Sequence, residues 1–123
     1  MVETPLLTPD KAWGQELLHQ LDDADFPISA ALWLLGEDDE WRLVIATRLY
    51  DELGQKGAYL KLIEVLKNTI VGDLPLRLES NKRPLVKALR KAFGPAKPVE
   101  WTRLAWQPIG GVLIRDAYLY RVN

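Results

Sequence analysis

A chain of 123 residues, 48% hydrophobic and 27% charged, is long enough to bury one core without staples, and its lack of cysteine excludes disulfides, thiolate metal sites and a cysteine nucleophile. Its net charge of −1 conceals a sorted distribution: residues 1–60 hold twelve acids against four bases, a net of −8, and residues 61–123 hold twelve bases against five acids, a net of +7. Such asymmetry bears on partners and self-association rather than on fold.

Residues 1–7 read as a loose lead-in to one domain spanning 1–123. Thr8-Pro9-Asp10 then offers an N-cap, a proline for the first helical position and an acid for the first turn. A helix is predicted to about Asp22, with Trp13, Leu17, Leu18 and Leu21 on one face. Ile28 to Leu35 is apolar on both alternating faces apart from Ser29, the pattern of a strand buried on both sides. The acidic turn Gly36 to Glu40 leads into a return strand, Trp41 to Arg48, completing a hairpin.

Asp51 to Gly57 reads as a glycine-bearing loop, and Ala58 to Asn68 as a second helix with Leu60, Ile63 and Leu66 on one stripe. A turn over Val71 to Pro75 precedes a short half-exposed strand, Leu76 to Glu79. Ser80 or Asn81 is expected to cap a third helix reaching Phe93, which Gly94-Pro95 stops. Val99 to Gln107 and Val112 to Val122 form the last two strands, joined by a turn at Pro108-Ile109-Gly110-Gly111. The expected fold is α+β: three helices on an antiparallel-rich sheet of about five strands, in the order α-β-β-α-β-α-β-β.

The third helix carries the sharpest functional signal. At about 100° per residue from Arg83, Lys87 falls near 40°, Arg90 near 340° and Lys91 near 80°, while Leu85, Val86, Leu89, Ala92 and Phe93 occupy roughly 180–300°. With Lys82 just before it, one face is wholly basic. Lys82, Arg83, Lys87, Arg90 and Lys91 are thus the candidate residues for phosphates or for an acidic partner; the competing reading is a solvated face. The last hairpin interleaves Trp101 and Trp106 with Arg103 and Arg115, a second candidate interface. Trp101 and Trp106 are five apart, so an unbroken strand turns them to opposite faces.

Other chemistry is thinly represented. Four consecutive acids at Glu37 to Glu40 lack the spacing of a calcium loop. His19, the one histidine, shares a helix face with Glu16 and Asp23, too few ligands for zinc. Ser29 and Ser80 lie in no nucleophile elbow, and Gly54-Gln55-Lys56-Gly57 is no phosphate loop. No catalytic group, metal or cofactor is assigned. The start has no basic-then-apolar signal pattern and no apolar run approaches the roughly 20 residues that span a bilayer, so a cytoplasmic protein without a membrane role is expected. The functional expectation is a non-catalytic interaction or accessory module, binding a protein partner or itself through its oppositely charged halves. The alternatives are nucleic-acid binding through the basic helix and a small enzyme.

Overall fold

A computed structural model describes residues 9–67, 74–94 and 100–123. The elements are α1 (Lys11–Asp23), β1 (Ala30–Leu35), β2 (Trp41–Ala46), α2 (Arg48–Val65), β3 (Leu76–Glu79), α3 (Pro84–Ala92), β4 (Thr102–Ile109) and β5 (Val112–Val122). Their order is the expected one. The lead-in 1–7, the expected cap Thr8, most of the turn from Val71, and the flanking Asn68, Pro95 and Val99 lie outside the described residues.

The strands form one sheet in the order β3-β2-β1-β5-β4. It is mixed: β3 runs parallel to β2, and the other neighbours are antiparallel. A parallel neighbour needs a crossover, and α2 supplies it. β1 is central, which explains its apolar residues on both faces. Ala31 and Trp33 face the α1–α2 side with Leu43 and Ile45; Ala30 and Leu32 face the α3 side with Val44 and Ala46. The helices therefore cover both faces. Leu17, Leu18 and Leu21 of α1 and Ala58 and Leu62 of α2 fill one core, and Leu85, Val86 and Leu89 of α3 fill the other.

Several boundaries differ from expectation for local reasons. Asp10, not Thr8, caps α1, its carboxylate accepting from the Trp13 amide at 3.0 Å. The segment 51–57 is helical rather than a loop. Thr47, fully buried, caps α2 through its hydroxyl, and Arg48 pairs with Glu52 one turn on. Gly54, at φ 79° and ψ 169°, leaves the helical region, so α2 is two helical stretches that meet at a kink there. α3 starts after Arg83 with Pro84 at its first position. Ser80 and Asn81 build the preceding turn instead: Asp51 of α2 accepts from the Ser80 hydroxyl and from the Asn81 amide, and the Ser80 oxygen accepts from the Lys82 amide. α2 also shields the free edge of β3, because the Tyr59 hydroxyl accepts from the Leu78 amide at 3.0 Å.

β4 runs on through Pro108 to Ile109, leaving a two-residue turn at Gly110-Gly111. Both glycines have positive φ, 56° and 84°, the geometry of the tightest hairpins. A bulge between Ala31 and Leu32 of β1 inserts an extra residue in β5, which turns both Tyr120 and Arg121 toward α1. The Tyr120 hydroxyl accepts from the Trp33 indole N–H at 3.0 Å and reaches the Lys11 carbonyl at 2.9 Å; Arg121 holds Asp22 at 2.8 Å. The Arg121 hydrogen bonds keep the Asp22 carboxyl below its ordinary pKa.

Candidate binding surface

α3 is amphipathic because its core side, Leu85, Val86 and Leu89, lies on the sheet and leaves its bases outward. Lys82, Lys87, Arg90 and Lys91 are exposed. Arg90 donates through Nε to the Asn123 carbonyl at 2.9 Å, and Arg83 pairs with Glu79. Lys82, Lys87 and Lys91 form no ion pair among the described residues. Residues 82–91 hold five bases and no acid. On the opposite side of the sheet, residues 10–25 hold five acids and one base. The layered fold thus carries part of the charge asymmetry of the sequence into space.

α3 has nine residues, about 14 Å of helix, whereas β5 alone runs eleven residues, about 37 Å. Part of the α3 side of the sheet therefore stays uncovered. There a groove of about 890 Å³ opens. Its apolar surface comes from Leu34, Val44, Leu85, Val112, Leu113 and Ile114, and Arg42, Arg77, Arg83 and Arg115 enter it from β2, β3, the α3 cap and β5. Arg77 has no ion pair or hydrogen bond through its side chain among the described residues. Arg115 donates to the Gly36 carbonyl and to Asp39, each at 2.8 Å, and so fastens the acidic β1–β2 turn to β5. Arg42 grips Asp38 with two hydrogen bonds, 3.2 and 2.7 Å, which holds that carboxyl down at about 2. The groove has a basic rim at α3 and an acidic one at Glu37 and Asp38.

Trp106 stands in this groove, 68% exposed, with Leu113 60% exposed nearby. Its placement has a backbone cause. Leu104 and Ile109 both pack on the α3-side core although five apart, as do Ile114 and Ala117 three apart. Odd separations belong on opposite faces of a regular strand. The alternation therefore slips once in each strand, between the pairs Ala105–Asp116 and Gln107–Ile114. Trp106 lies at the slip with φ 51°, a left-handed conformation that is rare for a bulky side chain.

The four hairpin residues expected to act together are split by the sheet. Trp106 and Arg115 line the groove. Trp101 and Arg103 lie on the α1 side: the Trp101 ring stacks on Tyr118 at 4.8 Å and meets Tyr120 at a tilt at 5.2 Å, and Arg103 binds Asp116 through Nε and Nη2 while lying over the Tyr118 ring. Arg42, Arg77 and Leu113 are groove residues that sequence reasoning missed. The one available signal was Arg77, a charge alternating with leucines in β3.

The remaining candidates do not assemble. His19 lines a hollow of about 170 Å³ with Gln15, Glu100 and Arg121 beside β5. Ser80 lies at the end of β3, three strands away, and is bound to Asp51. Among the described residues no group of three or more His, Asp or Glu side chains is placed to hold a metal, and no helix is long and apolar enough to cross a membrane. Comparison with protein-family models, with curated proteins and with solved structures yields no match.

Proposed function

We propose that this chain is an interaction module that takes an anionic partner on the α3 side of its sheet. The observation that carries the reading is the acid-free basic stretch Lys82 to Lys91, exposed along α3 and bordering the arginine-lined groove. The overall pI of about 5.8 opposes an anion at long range, and Glu37 and Asp38 oppose it at one rim of the groove, so the basic side has to carry the binding. The acids of α1 lie across the sheet, about two packed layers or roughly 20 Å away, and the Debye length at 0.1 M salt is about 10 Å. Lysine side chains without intramolecular partners displace the counterions condensed on a polyanion, so binding should fall steeply with salt.

The test is an anisotropy titration with labelled heparin fragments and labelled DNA at about 50 and 200 mM salt. Binding is expected at the lower salt and should weaken by orders of magnitude at the higher. Lys87→Glu with Lys91→Glu should abolish it while leaving the melting temperature nearly unchanged, since both side chains are exposed. Unaltered affinity in the double variant overturns the reading.

A second reading, self-association, is favoured by the opposite charges on opposite sides of the sheet. A contact between the acidic end of α1 and the basic face of α3 uses two different patches, so it is heterologous and grows with concentration instead of closing as a dimer. Sedimentation velocity should then show oligomers that dissociate above about 0.5 M salt, where the Debye length is roughly 4–5 Å. A monomer at every concentration and salt eliminates this reading.

A further inference from the structure

We infer that the anionic partner is a single-stranded nucleic acid, whose bases enter the groove and stack on Trp106 while its phosphates follow Arg77, Lys82 and Lys87. This rests on the anion-binding reading above and names its ligand. Three features of the groove select the class. The first is Trp106 itself. A 68%-exposed indole held at φ 51° in an arginine-lined groove is a strained aromatic presented to solvent, and planar bases stack on such a surface whatever their sequence.

The second is the mixture of charges. Phosphates match the basic rim. The Glu37 and Asp38 carboxylates on the other rim can accept from the exocyclic amino groups of cytosine and adenine. A polyacidic peptide has no planar ring for Trp106 and no side-chain donor for the acidic rim. The third is size. The groove reaches from Arg77 on β3 to Trp106 on β4, the two edge strands of the sheet, about 19 Å apart. At about 890 Å³ it admits unstacked nucleotides, but a duplex keeps its base faces covered and can touch only the outer face of α3.

The experiment titrates the full chain against labelled oligo(dC) of about twelve nucleotides, an abasic oligomer of equal length, a DNA duplex, and poly-glutamate, at about 50 mM salt. Oligo(dC) is expected to bind tightest. Trp106→Ala should weaken it by about tenfold and leave the abasic oligomer unaffected, with Trp106→Phe restoring most of the loss. The melting temperature of each Trp106 variant, expected to match the parent, separates loss of stacking from loss of fold. Equal affinity for oligo(dC) and the abasic oligomer, or no effect of Trp106→Ala, overturns stacking and leaves anion binding standing. Poly-glutamate binding as tightly as oligo(dC) makes the partner an acidic protein instead. No binding by any of the four overturns both readings.

Discussion

Replacing Trp33 with alanine is expected to remove about 3–5 kcal/mol of stability, a large part of the roughly 5–15 kcal/mol that ordinary domains possess. Trp33 is 1% exposed at the centre of the sheet. Its ring lies 5.8 Å from Trp13 of α1, and its N–H donates to Tyr120, whose hydroxyl meets the carbonyls at the start of α1. The substitution opens a cavity under α1 and removes a buried hydrogen bond together. Burial raises the Tyr120 pKa above the ordinary phenol value, so the phenol stays neutral and keeps its proton for the helix. Trp33→Phe retains most of the volume and should lose less than half as much. Urea unfolding followed by far-ultraviolet circular dichroism checks both; an unchanged midpoint in Trp33→Ala would show that this cluster does not anchor α1.

Replacing the same residue type at position 106 is expected to leave stability unchanged and affect binding, and the sequence does not show why. Five tryptophans look alike as letters. Trp33 is covered because β1 lies between two helical layers; Trp106 is uncovered because one short helix cannot span its side of the sheet. Local features are legible in the chain: element order follows from hydrophobic periodicity, and the basic face of α3 follows from the helical wheel. Features that depend on long-range assembly are not. The groove draws arginines from β2, β3, the α3 cap and β5, separated by as many as 73 positions in the chain.

The misreading of 51–57 as a loop has a specific cause. Gly54 and Gly57 suggested a loop, but a buried Thr47 cap and the Arg48–Glu52 pair nucleate helix before them, and a kink absorbs Gly54. The slip at Trp106 has no glycine to announce it. The β2–α2–β3 path did contain the information for a parallel neighbour, since two strands joined by a helix ordinarily lie parallel.

Gly14→Ala is expected to destabilise the protein, although glycine-to-alanine in an exposed helix interior stabilises by about 1 kcal/mol. Gly14 is buried at the crossing of α1 and β5. A Cβ there would fall on the Tyr120 hydroxyl oxygen and lie 2.6 Å from ring carbon Cζ and 2.8 Å from Cε2. Neither neighbour yields easily: the hydroxyl is tied to Trp33 and to the backbone of α1, and the ring packs against Trp101. Overpacking of this kind costs about 1–3 kcal/mol, which outweighs the gain in helix propensity. Tyr120→Phe alone should cost a similar amount, about 1–3 kcal/mol, because the buried Trp33 N–H loses its acceptor. Combining them should cost less than the sum by roughly 1 kcal/mol, since the phenylalanine ring no longer carries the oxygen that the new methyl strikes. The relief is partial, because the ring carbons remain. A four-point cycle of urea midpoints measures the coupling. Strict additivity, or a stabilised Gly14→Ala, would mean that α1 does not approach β5 as closely as this geometry requires.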